Sequence, residues 1–462
     1  MARRPGRGTG AMRFGLATYF DKLDISEAVG HELAAARMRI ADGEVTPRDL
    51  PFRSLIGDPF DFHRRAVLPA ITTLTLRRRE TQLNPDTTAH WLAVRRALNT
   101  RRYELAEVAS RRYPAAARVA GTPLLCRREW IPDRPLDLDE VTLNWADRAP
   151  APAIDGSEPA SRPVRPLSAP GTRYPTYADA LGALAPPALF ENHLSYRLLA
   201  VDLADGAGSM DVGRARYFDG VSIGEAVAHE FAQAWLADPG AAPAGRLPLR
   251  ELIGDPCDLS RRVAIPAITT LTLRRDGPGE ASFLLHWRDP AKVTHAGGMY
   301  QVMPVGVFQP VDDTPESGRN DLSLWRGIVR EFSEELLGTS EDYHALGSPV
   351  DYSQWPFYQS LTSARQAGKL KVACLGVGVD PLSLAVDILT VAVFDGDFFD
   401  TAFGGLVTIN TEGRVVSERE ATGIPFTGET VSRFADGSEP MQAAGAAVIR
   451  LAWQHRANLL NF

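Results

Sequence analysis

The chain has 462 residues, 44% hydrophobic and 23% charged, which suffices for two or three domains with real cores and excludes intrinsic disorder and collagen-like repeats. Its net charge of -7 hides an asymmetry, because residues 1–150 carry 25 Lys+Arg against 19 Asp+Glu and the remainder carries 25 against 38. The longest apolar stretch, residues 372–394, is broken by Asp380, Pro381 and Asp387, and a charge at mid-bilayer costs roughly 3 kcal/mol, so no membrane partner is expected.

The basic start MARRPGRGTG runs into residues 11–15 rather than into an apolar core, so a secretory leader is not expected. Cys126, Cys257 and Cys374 are too far apart for a disulfide framework or a zinc knuckle. Together these point to a reducing, cytoplasmic setting.

An internal repeat comes next in chain order. Tyr19, Phe20 and Asp21 return as Tyr217, Phe218 and Asp219; Glu27, His31 and Glu32 return as Glu225, His229 and Glu230; LIGDP at 55–59 returns at 252–256. The decapeptide PAITTLTLRR occurs at 69–78 and at 266–275, and the echo ends at His90–Trp91 and His286–Trp287. Residues 13–91 and 211–287 are therefore expected to share a structure: a helix from about Ser26 or Gly224, a loop through LIGDP, a β-branched strand, and a second strand ending in His-Trp. A spacing near 200 residues is a domain duplication, since solenoid repeats are far shorter. Neither His31–Glu32 nor His229–Glu230 has the second histidine of a zinc HExxH site.

After His90–Trp91 the first copy runs into residues 94–112, a predicted helix rich in arginine. With the other arginine doublets of this half, it offers a phosphate-rich partner such as nucleic acid a basic surface; solvated arginines of no special role are the competing reading. Residues 149–175 are rich in Pro, Ala, Ser and Gly and read as a linker. The expected division is 1–148, a partial, arginine-rich, non-catalytic copy; 149–178, the linker; and 179–462, the chemistry-bearing domain with its own N-terminal extension.

In the second copy, strands over 268–275 and 282–288 flank a Gly277-Pro278-Gly279 turn, and another run follows at 300–306. Leu324, Trp325, Ile328, Val329, Phe332, Leu336 and Leu337 then fall at helical spacing, predicting an amphipathic helix over 322–337 closed by Gly338. Its other face carries Glu331, Glu334 and Glu335 at i, i+3 and i+4. Like charges at this spacing cost a few tenths of a kcal/mol per pair, roughly, unless a divalent cation gathers them; a solvated surface face is the alternative. Further strands are expected over 371–379 and 387–394, and a last helix over 439–456.

The string Arg330, Glu331, Phe332, Ser333, Glu334, Glu335 resembles the R-E-U-x-E-E core of the Nudix hydrolase signature, U being a bulky apolar residue. The order of strand, turn, strand, glycine-bearing run and helix over 264–456 is similar to that family, including the Nudix-like domains of actinobacterial regulators. The resemblance departs where the full signature has a glycine and a glutamate fourteen and eight residues before the arginine: Glu316 and Leu322 stand there, and the closing glycine comes one residue late. An enlarged 309–321 loop offers Asp312, Asp313, Glu316 and Asp321 as replacements for the lost acid. The resemblance implies an α/β fold, a Nudix-like mixed-sheet α/β/α sandwich in the C-terminal half preceded by a partial duplicated copy. It implies magnesium or manganese on Glu331, Glu334 and Glu335, catalysis by Glu331, Arg330 and Glu335, and Arg274, Arg275 and Arg288 on substrate phosphates. The implied reaction is hydrolysis of a phosphoanhydride in a nucleoside diphosphate derivative. Competing functions are a nucleotide-sensing or DNA-associated regulator with a degenerate site, and an assembly role in which the two copies form an internal pseudo-dimer or the chain a homodimer.

Overall fold

The computed structural model describes residues 88–461 apart from 188–189, 205, 240–242, 244, 289–297, 339–348, 405–412 and 417–422. The first repeat copy up to residue 87, with His31–Glu32 and the first decapeptide, lies outside the described residues. Residues 85–462 form one compact unit.

In chain order the elements begin with helices α1 (Thr88–Thr100) and α2 (Arg102–Ser110), strands β1 (Leu136–Asp137) and β2 (Val141–Trp145), and the short hairpin β3 (Leu167–Ala169) and β4 (Thr172–Arg173). Helix α3 (Tyr177–Leu184), strands β5 (Leu194–Asp202) and β6 (Gly208–Arg216), and helices α4 (Tyr217–Ala237) and α5 (Pro248–Ile253) follow. Then come β7 (Pro266–Gly277), β8 (Glu280–Phe283), β9 (Leu285–Arg288), β10 (Tyr300–Val302), β11 (Val305–Val307), α6 (Pro315–Asn320), α7 (Leu324–Leu337) and α8 (Pro356–Gln366). The chain closes with β12 (Leu370–Val379), β13 (Val386–Asp395), α9 (Gly396–Ala402), β14 (Gly413–Val416), β15 (Ile424–Pro425), α10 (Gly428–Ala435), α11 (Ala443–Gln454) and α12 (Arg456–Leu460).

The main sheet is mixed, in the order β1-β12-β13-β7-β8-β15, with β11 also on β7. The repeated decapeptide supplies its centre: β7 runs parallel to β13 over Pro266–Arg275 and antiparallel to β11, Val305 facing Thr269. Both faces of β7 are buried, Thr269, Thr270 and Thr272 included, and alternate residues serve different cores. Ile268, Val372, Cys374, Ile388 and Phe394 pack with α7, whereas Leu271, Leu273, Ala373, Val391 and Val393 pack with α11. A register shift between Cys374 and Gly376 swaps the parity of β12, so Val377 joins the α7 side.

The second copy has the expected helix and β-branched strand, with α4 beginning at Tyr217, ahead of Gly224; LIGDP starts inside α5, which takes in Leu252 and Ile253, and the second strand is divided into β8 and β9 of different sheets. At the N-terminus of α4 Asp219 accepts from the Arg216 N–H at 2.9 Å, and small residues line the helix where it is buried.

Two further expectations are corrected. His90–Trp91 lies inside α1 rather than at the end of a strand, whereas His286–Trp287 does lie in β9. The dipeptide carries no period of its own; Trp91, Val94, Ala97 and Leu98 bury one helical face, and that spacing decides the element. The Pro- and Ala-rich stretch expected as a linker over 149–178 is packed: Ile154, Ser161 and Val164 are buried, and Ile154 N–H bonds Arg261 O at 2.9 Å. Among the described residues no helix is long and apolar enough to cross a membrane.

Candidate functional site

Helix α7 is built as its pattern predicts. Ser323 caps its N-terminus by accepting from Arg326 N–H at 3.4 Å, and Gly338 ends it in the left-handed region at φ 68°. Ile328, Val329, Phe332 and Leu336 are fully buried, a stripe in which each large side chain contributes roughly 2 kcal/mol by leaving water. That stripe fixes the rotation of the helix and turns Glu331 and Glu335 toward β11. The carboxyl of Glu331 lies on Gly306, where any Cβ would overlap it, so only glycine permits this approach. One turn on, Glu335 Oε1 accepts the Val305 N–H at 3.1 Å. Glu334 is half-buried on the same helix.

Arg330, expected to orient Glu331, reaches the 309–321 loop. Its Nη2 donates to Gln309 O at 2.6 Å and its Nη1 lies 3.8 Å from Asp321 Oδ2. Asp321 is fully buried and accepts from Val311 N–H at 2.8 Å, Asn320 Nδ2 at 2.9 Å and Tyr352 Oη at 3.0 Å. Burial holds the Tyr352 hydroxyl well above the usual tyrosine range, so it stays a donor. Nothing in the sequence around the string points to Tyr352, which arrives from a segment twenty-two residues further on.

Two of the three arginines expected on substrate pair with aspartates. Arg274 is held by Asp276 and by Asp400, at 2.7 Å for the latter. Arg275 lies 3.5 Å from Asp395, and Arg288 closes β9, half-buried, its N–H bonding Met299 O at 3.1 Å. Arg274 and Arg275 sit five and six residues along β7 from Thr269, the partner of Val305, a run of about 17–20 Å. A cleft of about 760 Å³ opens at the other end of α7, lined by Arg319, Asn320, Trp325, Arg326, Tyr358 and Arg365 among others; none of the three glutamates lines it.

Among the described residues no three His, Cys, Asp or Glu side chains form a ready-made metal shell. Magnesium commonly takes one or two carboxylates and completes its octahedron with water and substrate phosphate, and Glu331 and Glu335, one helical turn apart on β11, are the pair of that chemical type here.

The repeated acidic and histidine residues of α4 have a different task. Glu225 takes Arg95 of α1 and, at 2.7 and 3.0 Å, Arg102 of α2. His229 stacks on Trp91 with ring centroids 5.2 Å apart, and its Nδ1 meets Tyr177 Oη at 3.0 Å. Burial, with Arg95 nearby, pushes its imidazole down to about 3, so it is neutral. Glu230 accepts the N–H groups of Leu249 and Arg250 at 2.8 and 3.0 Å, capping α5. Several of the described arginines expected as a basic surface thus turn inward or pair: Arg127 with Asp255, Arg128 with Asp133 and Arg134 with Glu140. In the comparisons with known proteins, no family model and no curated protein matches the chain.

Proposed function

We propose that residues 179–462 carry a Nudix-like α/β/α sandwich, that the N-terminal half holds a partial duplicate of it, and that the chain hydrolyses a phosphoanhydride in a nucleoside diphosphate derivative. The observation that carries this reading is the seating of Glu331 and Glu335 on Val305–Gly306, which turns a spacing in the sequence into two carboxylates against one strand. Glu331, Glu334 and Glu335 are the residues that would hold magnesium or manganese. The cation, when bound, neutralises the bridging phosphates and acidifies the attacking water.

Glu331, pressed on a strand that has no side chain at that point, is the base: it takes one proton of the water as the water oxygen bonds phosphorus. The bridging P–O bond breaks, and its electrons leave on the departing phosphate. Glu335 is oriented by the Val305 N–H, which its Oε1 accepts at 3.1 Å. Arg274 and Arg275, tied to aspartates, are weaker candidates for phosphate contact than the sequence suggested, and substitution of each of the three arginines tests the contact.

A panel of nucleoside diphosphates linked to sugar, nucleoside or further phosphate, assayed with magnesium or manganese, should yield at least one substrate. The Glu334→Gln/Glu335→Gln double variant should fall by orders of magnitude while keeping its fold. Background turnover in both proteins, with nucleotide binding retained, would replace the enzyme with a sensor. Leu322, standing where the full signature has a glutamate, favours that second reading. Salt-sensitive DNA binding would place the sensor among regulators.

A further inference from the structure

The cleft of about 760 Å³ at the N-terminal end of α7 has the size of a small-molecule site, and the glutamates of that helix take no part in it. Arg326, in its lining, and Glu335 are nine residues apart, about two and a half turns and roughly 14 Å of rise, so they stand on opposite faces of α7.

The lining divides by charge. Arg365 of α8 holds Asp137 and, at 3.0 Å, Asp139, whose side chain is 82% exposed. From α6 and α7 come Arg319 and Arg326. Arg319 reaches Asp147 at 3.0 Å, but both side chains are more than two-thirds exposed, so the pair is weak. Arg326 has no carboxylate partner among the described residues. Its Nη1 donates to Asn320 O and, at 3.1 Å, to Asn320 Oδ1, and its guanidinium lies 4.7 Å over the Tyr352 ring. These contacts fix the group and leave its charge without a direct counter-charge. The rest of the lining includes two rings: Trp325, pinned by its Nε1–H on Thr362 Oγ1 at 3.0 Å, and half-buried Tyr358, 6.4 Å from it.

We propose that this cleft binds a nucleoside monophosphate, with the phosphate on Arg319 and Arg326, the base on the Tyr358 ring and a hydroxyl or amino group of the nucleoside on Asp139. A dianion matches two guanidinium groups, and a flat base matches an aromatic side chain. The carboxylates of Asp137 and Asp139 disfavour a longer phosphate chain by repulsion. The site is separate from the glutamates of α7 and does not depend on the hydrolase reading.

Calorimetric titration of the full chain without divalent cations tests this, the probes being the monophosphates of adenosine, guanosine, cytidine and uridine, the four nucleosides, and inorganic phosphate. At least one monophosphate should bind tenfold or more tightly than its nucleoside and than inorganic phosphate. Arg319→Gln, at a position too exposed to carry the fold, and Tyr358→Leu should each weaken it by about tenfold, and Glu335→Gln should leave it within about twofold. No binding of any monophosphate, inorganic phosphate bound as tightly, or affinity unchanged in both the Arg319 and Tyr358 variants would overturn the proposal. Loss of binding in Glu335→Gln would move the nucleotide to the opposite face of α7 and overturn it too. Turnover enters none of these results, so the hydrolase reading stands or falls apart from them.

Discussion

A single missing atom decides the geometry at Gly306. A methyl group there must displace the Glu331 carboxyl, so Gly306→Ala is expected to cut turnover at least tenfold while changing the thermal midpoint by only a few degrees, because β11 is an edge of three residues and α7 keeps its apolar stripe. Unchanged turnover in that variant would separate Glu331 from the chemistry. A second residue-scale prediction concerns Asp387 in β13. Burial raises its carboxyl to about 7; the Thr269 hydroxyl at 2.7 Å opposes this and Asp380 adds to it. With a folded value above the ordinary 3.8, the folded state holds the proton more tightly, and stability falls as pH rises from about 4 to about 7. Asp387→Asn should therefore stabilise the protein by a few kcal/mol, roughly, at pH 8 and make little difference at pH 4, as denaturant titrations would record. Equal effects at both pH values would contradict it.

At the level of elements, α1, α2 and α4 are joined by the buried group of Glu225, Arg95 and Arg102. Glu225→Gln leaves two guanidinium groups short of a counter-charge, and a loss of roughly 3–5 kcal/mol is expected from chemical unfolding. A loss below about 1 kcal/mol would mean that the apolar contacts of Val94, Leu98 and Phe231 hold these helices without it. His229 adds a pH term of known sign. Its folded value near 3 lies below the ordinary 6.5, so the unfolded chain takes the proton first, and stability falls by about 1.4 kcal/mol per pH unit as pH drops below 6. This slope opposes that of Asp387 between about pH 4 and 6, so the Asp387→Asn variant should show the acid loss more steeply than the parent. The helix α7 was legible because its apolar stripe keeps the helical period from Leu324 to Leu337, and β7 because β-branched residues recur in it. The fate of His90–Trp91 was not legible, since two residues have no period, and the ion group was not, since its members are more than 120 residues apart.

For the molecule as a whole, packing on both faces of one mixed sheet places α7 on one side and α11 on the other, and the site lies where α7 crosses β11. The α/β class and the order of strands followed from alternating and helical periods. The packing of 149–178 did not, because proline-rich segments that dock and those that hang free have the same composition; only long-range contacts such as Trp91 Nε1 to Val164 O distinguish them. The candidate site was legible as three glutamates, whereas Gly306, Asp321 and Tyr352 entered through the fold. On the proposed reading, Glu331 and Glu335, seated on β11, make this chain a cation-dependent phosphoanhydride hydrolase. Its most direct measurement is the rate of product release from a nucleoside diphosphate derivative as a function of free magnesium, for the parent, Glu331→Gln and Glu335→Gln. Saturable activation is expected in the parent, abolished by chelation, with both variants slower by about a hundredfold or more and needing more magnesium. Turnover that survives chelation, or that is equal in all three proteins, would contradict it.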